Sequence, residues 1–270
     1  MADTQANSTA PGLRQRWASG ATTVGTFCMI PSTISAGIVG RAGFDWVCVD
    51  VQHGVIGREL LVNMLAALAA AATPGLVRVA KNDPKDIGEA LDAGAVGVIV
   101  PMVNSAADAR AAVSAARYAP QGMRSWARST PAALGQPDYA PQSANDRVLV
   151  VVQIETKEAI QNLDGILSVT GIDGAFVGPG DLAVSLSLDA KGDQTPGLLG
   201  TIAEVAAACV DRGVAAGIAC SSPEAAAEWQ RHGFIALSIQ HDIAILTRAM
   251  VGTRDAAVTA LATVSVVPSA

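Results

Sequence analysis

The chain has 270 residues, 50% hydrophobic and 16% charged, with a formal net charge of −6 and a mean hydropathy of +0.36. An acidic chain without a basic cluster argues against nucleic acid as a partner. The apolar runs are strand-sized and broken by Gly, Asp, Arg or Pro, so none reaches the roughly 20 residues needed to cross a membrane.

The first segment, "MADTQANSTAPG", is polar and lacks the apolar stretch of a signal peptide. Residues 1–16 are therefore expected to form a flexible tail ahead of one domain spanning 17–270. The first strand is expected at "GTFCMI" (25–30) and the second at "DWVCVDV" (45–51), which leads out through Asp50, Gln52 and His53. After the helical pattern "RELLVNMLAALAAAA" comes "LVRVA" (76–80), carrying Arg78 and followed by Lys81, Asn82 and Asp83. A fourth strand is expected at "VGVIVPMV" (96–103), and the Ala-rich helix "SAADARAAVSAARYA" follows it. The connection 118–147 is long and rich in Pro, Gly and Arg, and loops of such length are uncommon unless functional. Then come "VLVVVQIE" (148–155), "GAFVGP" (174–179), "AAGIAC" (215–220) and "FIALSIQ" (234–240), with a last helical segment from Asp242.

Continuously apolar strands separated by helices indicate a parallel sheet covered on both faces. Glycines recur just before strands, as in "DRGVAAGIA", where helices are expected to end. Eight such strands are the count of a (β/α)8 TIM-type barrel. A doubly wound sheet usually carries a Gly-rich nucleotide loop after its first strand, but "PSTISAGIVGRAG" contains no G-x-G-x-x-G. Cys28, Cys48, Cys209 and Cys220 form no C-x-x-C pair, so they are expected to be reduced core thiols in a cytoplasmic protein.

Barrel enzymes build their sites at the carboxyl ends of the strands, so the polar residues ending each run are the candidates. Gln153 and Glu155 are two apart and share one face of their strand. Each candidate also has a structural explanation: a strand end fraying into solvent, or Asp181 capping the helix after "VGPG". Together, Glu155 and Asp181 bring two carboxylates to one mouth, a hard-oxygen set that suits Mg²⁺, Mn²⁺ or a similar divalent ion. His53 leaves its strand beside Asp50, and Asp83 leaves the neighbouring one. A histidine with a carboxylate partner is an oriented acid/base unit. Arg78, inside an apolar run, would be a costly buried cation unless an anion compensates it. The lysines lie in polar contexts, which disfavours a Schiff-base mechanism that needs a desolvated amine.

The segments "AGFDWVCVDVQHG", "VRVAKNDP", "VPMVNSAADARAAVSAARYAPQGMRS" and "VVQIETKEAIQNLDGILSVTGIDGAFVGPGDLAVSLS" resemble the HpcH/HpaI aldolase family. These are divalent-metal-dependent pyruvate aldolases that include 4-hydroxy-2-oxoheptanedioate aldolase. The similarity runs from about residue 17 to 262. Its most specific part is the Q-x-E-T-x-E-A segment followed by G-P-x-D-L.

This resemblance implies a (β/α)8 barrel whose last helix is exchanged with a neighbouring subunit, in a homotrimer or homohexamer. It implies Glu155 and Asp181 as ligands of Mg²⁺, Mn²⁺ or Co²⁺, with Gln153 beside the metal and the substrate carbonyl. Arg78 would hold the keto oxygen and stabilise an enolate. His53, oriented by Asp83, would act through water on the hydroxyl proton. The backbone at Gly180 and Asp181 would bind the substrate carboxylate. Ala219, in "ACSS", and the 118–147 connection would contact the aldehyde. The implied reaction is reversible cleavage of a 4-hydroxy-2-oxo acid to pyruvate, or a close 2-oxo acid, and an aldehyde. The alternatives are a citryl- or malyl-CoA-type lyase or a 2-oxo-acid decarboxylase on the same scaffold, or a non-catalytic binding barrel. Two positions depart from the pattern: Gln52 stands where many members have an acidic residue, and the bulky "SIQHD" (Gln240, His241, Asp242) stands where many have a small one.

Overall fold

In the computed structural model, which describes residues 12–126, 140–188 and 195–263, every expected apolar run is a strand. They are β1 Thr23–Cys28, β2 Trp46–Asp50, β3 Gly75–Arg78, β4 Gly97–Val100, β5 Leu149–Ile154, β6 Gly174–Val177, β7 Ala215–Cys220 and β8 Ala236–His241. All neighbours pair in parallel, and β8 returns to β1, closing the barrel in chain order. β2, β4, β5 and β6 are buried at every residue because side chains meet packed layers on both faces of the sheet. The fold is the expected (β/α)8 barrel.

The described helices are α1 Leu13–Ala18, α2 Thr33–Gly40, α3 Arg58–Ala70, α4 Pro84–Asp92, α5 Ala106–Ala116 and α6 Pro141–Arg147. They continue as α7 Lys157–Gln161, α8 Leu163–Leu167, α9 Pro179–Ser185, α10 Pro196–Arg212, α11 Pro223–Arg231 and α12 Asp242–Ala262. Ser32, Asp83, Ser105, Thr156 and Ser222 cap helix starts by accepting a backbone N–H. α10 ends on Gly213 at φ +64, the left-handed conformation that the "DRG" pattern anticipates.

The alternation of strand side chains divides the core in two. Outside the barrel, Val47, Val49, Val98 and Val150 meet helical residues such as Leu65 and Ile202. Inside, Trp46, Leu76, Ile99, Leu149 and Phe176 fill the barrel, and Leu13 and Trp17 of α1 close its N-terminal end. Trp17 Nε1 and Trp46 Nε1 both donate to Thr23 Oγ1, at 2.8 and 3.1 Å. The expected free tail through residue 16 is thus corrected: Leu13–Ala18 is a helix with its two large apolar side chains buried. Residues 1–11 lie outside the described part. Above this layer, Phe27 and Phe176 pack edge to face with centroids 5.8 Å apart and floor the C-terminal mouth.

One further expectation changes. The described parts of the connection, 118–126 and 140–147, follow α5 and lead into β5, so they lie at the N-terminal end of their own barrel, opposite the strand ends that form the mouth. Their Ala144, Asp146 and Arg147 line a cavity there with Leu13, Val96 and Leu149, while residues 127–139 lie outside the described part. The last helix, α12, leaves the barrel with Asp242 as its one buried residue. Ile243, Leu246, Met250, Val258 and Leu261 are exposed along it. No helix among the described residues is long and apolar enough to cross a membrane.

Candidate active site

The registers of adjacent strands decide which polar ends meet. Asp50 and Arg78 stand opposite each other across β2 and β3. The carboxylate accepts Arg78 Nε at Oδ1 (2.9 Å) and Nη2 at Oδ2 (2.6 Å), a two-pronged geometry that suits a planar guanidinium. Asp50 is wholly buried, and its Oδ1 also accepts the N–H groups of Gln52 and His53 at 3.1 and 3.3 Å. Asp50 is thus an anion that compensates the Arg78 guanidinium within its apolar run. Burial opposes the guanidinium charge, but the Asp50 hydrogen bonds and charge outweigh it and hold the Arg78 pKa above its ordinary value. The guanidinium carbon also lies 4.8 Å over the Phe27 ring, an attractive placement for a cation.

Gln153 and Glu155, at the end of β5, are each 1% exposed. Gln153 Nε2 donates to Glu155 Oε2, and the Met102 N–H donates to Glu155 Oε1 at 2.8 Å. Gln153 Oε1 is buried and accepts no hydrogen bond within the described structure. The neighbouring strand reaches this pair through Gly178. A Cβ there would sit 2.9 Å from Gln153 Nε2 and 3.0 Å from Glu155 Oε2, so any larger residue would press on both groups. Burial pushes the Glu155 pKa up; the Met102 hydrogen bond opposes this, and the charge of Asp181 adds to it. Asp181 is exposed, in the first turn of α9.

This donor set fits a hard divalent cation. Glu155 and Asp181 offer carboxylate oxygens that raise each other's energy until a cation lies between them, and Gln153 supplies an unpartnered amide oxygen. No group of three or more His, Cys, Asp or Glu converges among the described residues. A shell held by two carboxylates leaves positions for water and substrate.

A cavity of about 450 Å³ opens over these groups, lined by Phe27, Arg78, Gln153, Gly178, Gly180, Asp181, Ala219 and His241 among others. A volume of that order suits a small substrate. The cavity at the N-terminal end is larger, about 730 Å³, but its lining charges Arg14, Asp92 and Arg147 are engaged with other groups. Arg14, for example, pairs with Asp173 at 2.9 Å.

The sequence profile described as HpcH/HpaI aldolase/citrate lyase matches residues 24–248. The chain belongs to this family. The hydroxypyruvate/pyruvate aldolase of Rhizorhabdus wittichii is 36% identical over 238 residues, covering 88% of this chain and 94% of that one. The 4-hydroxy-2-oxo-heptane-1,7-dioate aldolase of Escherichia coli is 35% identical over 229 residues, 84% of this chain and 87% of the relative. Among solved structures, an HpcH/HpaI aldolase/citrate lyase family protein from Burkholderia cenocepacia superposes with a TM-score of 0.85 at 31% identity. That match covers 92% of this chain and 99% of that one. As an HpcH/HpaI aldolase the protein is a carbon–carbon lyase.

The HpcH/HpaI barrel brings Arg78, Gln153, Gly180, Asp181 and Ala219 to one cavity, with Glu155 bonded to Gln153 beneath Gly178 and Asp50 behind Arg78. It does not bring His53 to Asp83. His53 is exposed beyond β2 and is not among the cavity-lining residues. Asp83 caps α4 by accepting the Lys85 N–H at 2.9 Å and lies 3.7 Å from Lys81 Nζ. That backbone bond, with Lys81 nearby, keeps its carboxyl below the usual range. The expected His53–Asp83 unit is thus absent within one chain, because an Asp before Pro at a helix start is drawn to the cap. Sequence reasoning missed the Met102 N–H, which as a backbone donor has no residue-type signal. It also missed the close approach of Gly178, although that glycine lies in the "VGPGD" run.

Proposed function

We propose that this HpcH/HpaI aldolase reversibly cleaves a 4-hydroxy-2-oxo acid into pyruvate, or a close 2-oxo acid, and an aldehyde. The observation that carries this reading is the meeting at one cavity of Gln153, bonded to the buried Glu155 beneath it, with Asp181 and the ion-paired Arg78. A divalent cation (Mg²⁺, Mn²⁺ or Co²⁺) held by Glu155 and Asp181 would polarise the 2-oxo group when bound.

The chain's own residues account for the rest. In the cleavage direction the 4-hydroxyl loses its proton, the C3–C4 bond breaks, and its electron pair moves through C3 onto the 2-oxo oxygen. Arg78, held by Asp50, faces the negative charge that grows on that oxygen, as a preorganised cation should. Protonation of C3 then gives the 2-oxo acid, and the former C4 leaves as the aldehyde carbonyl. Gln153 contacts the substrate beside Glu155, and the amides of Gly180 and Asp181, at the start of α9, receive the carboxylate. Ala219 lies on the aldehyde side. His53, which follows Asp50 out of β2, takes the hydroxyl proton through water.

The exposed apolar residues of α12 support a further part of the reading, in which this helix packs on a neighbouring subunit of a homotrimer or homohexamer. Light scattering after gel filtration tests it, and a monomer would contradict it. Four buried free cysteines fit a reducing, cytoplasmic setting, and the chain from α1 onward is proposed to act as one barrel domain.

The test is an aldehyde panel with pyruvate and Mg²⁺, Mn²⁺ or Co²⁺, following aldol product with and without chelator. Metal-dependent product supports the reading. Turnover of acyl-CoA esters in place of free 2-oxo acids would assign the protein to the citrate-lyase side of the family instead.

A further inference from the structure

The end of β8 closes the far side of the cavity, where Gln240 and His241 stand beside Ser221. Gln240 has φ +53, a conformation rarely adopted by a residue with a side chain. The β1–β8 ladder shifts register at this point, so that Phe27 pairs with His241. The irregularity is fixed from several directions. Thr26 Oγ1 donates to the carbonyls of Ile239 and Gln240 at 3.1 and 3.4 Å, and Gln240 Nε2 donates to the Ser221 carbonyl at 2.6 Å. The buried Asp242 carboxylate accepts the N–H groups of Met29 and Ile30 at 2.9 and 3.0 Å. Strain held in place by so many contacts is characteristic of functional sites, and a bulge at a barrel rim re-aims a side chain.

The hydrogen-bonding capacity left over on this wall is specific. His241 Nδ1 accepts the Ala244 N–H at 3.3 Å, which leaves the ring hydrogen on Nε2. Nε2 has no partner among the described residues, nor does Gln240 Oε1. One donor and one acceptor therefore stand on adjacent residues facing the same cavity. Among the described lining residues, Arg78 is the one Lys or Arg, and it is engaged with Asp50 at the other side of the mouth.

We infer that His241 and Gln240 recognise a hydroxyl group on the aldehyde, so that short uncharged hydroxyaldehydes are preferred. This rests on the aldolase reading. A hydroxyl both accepts and donates, and so satisfies His241 Nε2 and Gln240 Oε1 together. Both residues are half-buried, so an alkyl aldehyde would displace the water that bonds these two atoms without replacing its hydrogen bonds, which costs affinity. A carboxylated aldehyde meets the Gln240 oxygen with no free cation beside it.

The experiment compares glycolaldehyde and glyceraldehyde with propanal and succinic semialdehyde, using the full chain, pyruvate and Mn²⁺. The unmodified protein should favour the hydroxyaldehydes in kcat/KM by about 10-fold or more. His241→Ser, which keeps a side-chain cap for α12, should cut the hydroxyaldehyde-to-propanal ratio at least about 10-fold, mostly through the hydroxyaldehyde KM. Equal losses for all aldehydes, or preference for propanal or the carboxylated aldehyde, would overturn the inference. Exchange of the pyruvate methyl protons by the unmodified protein separates the two readings. Exchange without a hydroxyaldehyde preference defeats this inference alone, whereas no exchange defeats the aldolase reading as well.

Discussion

The two ends of this barrel are built from the same eight strands, yet they treat polar groups in opposite ways. At the N-terminal end, Asp173 accepts Arg14 at 2.9 Å and Arg117 at 3.0 Å, and its Oδ2 also takes the Val150 N–H at 2.9 Å. Arg117 donates as well to the Val148 carbonyl at 2.7 Å. Buried polar groups there satisfy one another and tie α1, α5, β5 and β6 together. At the C-terminal mouth, Glu155 is buried with a like charge nearby, and Gln153 Oε1 is buried with no partner. The larger cavity belongs to the satisfied end and the smaller one to the unsatisfied end. Incomplete satisfaction, more than cavity volume, marks where chemistry belongs, because a buried polar group without a partner is stable only if something else supplies one.

Mutations at the two ends should separate activity from stability, and the largest effect is expected at the mouth. Glu155→Ala should lower kcat/KM for aldol cleavage on the order of 10³-fold or more, the scale of several kcal/mol of lost charge stabilisation, while near-UV circular dichroism stays native. Asp50→Asn comes next. It breaks the pair that fixes Arg78, so steady-state kinetics should show kcat reduced by about 10²-fold with KM less affected, and urea titration should show about 3 kcal/mol of lost stability. Asp173→Ala should lose a similar amount of stability, about 3 kcal/mol, by leaving Arg117 buried and unpaired. Its kcat per folded molecule should not change, and an equal fall in activity would break the division between the two ends.

A subtler contrast concerns pH. Folding raises the pKa of Glu155, so ionisation of this group opposes the folded state of the metal-free protein. Its contribution is most favourable below the unfolded pKa and is lost as pH rises toward the folded value. Glu155→Gln should therefore be more stable than the unmodified protein at neutral pH in chelator, with the gap closing as pH falls below the unfolded glutamate value. Urea midpoints at several pH values measure this, and a gap that is constant or reversed would contradict it. The smallest effect is expected for Gln240→Gly, where relief of the positive φ and loss of the Ser221 hydrogen bond should cancel to within about 1 kcal/mol.

Much of this was legible in the sequence, for definable reasons. Continuous apolar runs and helical spacing are local signals, and they located all eight strands. The rule that barrel sites lie at strand ends picks out Arg78, Gln153, Glu155 and Asp181 from sequence alone. Pairing across strands was not legible. In sequence Asp50 stands beside His53, but the β2–β3 register places it opposite Arg78. Asp83 looked like a catalytic partner, although "NDP" at a helix start is equally a cap, and the cap is what forms. The 118–147 connection is long enough to suggest a functional loop. Its position after a helix already implied the N-terminal end, since the chain must return there before the next parallel strand begins.

The central claim is that the mouth of this barrel holds a divalent cation and enolises a 2-oxo acid. The most direct measurement is NMR of pyruvate methyl-proton exchange in D₂O, on protein treated with chelator and then resupplied with Mn²⁺ or Mg²⁺. The account predicts that exchange stops with chelator and returns with metal. Exchange that continues undiminished in chelator, or that never appears with any of the metals, would contradict it.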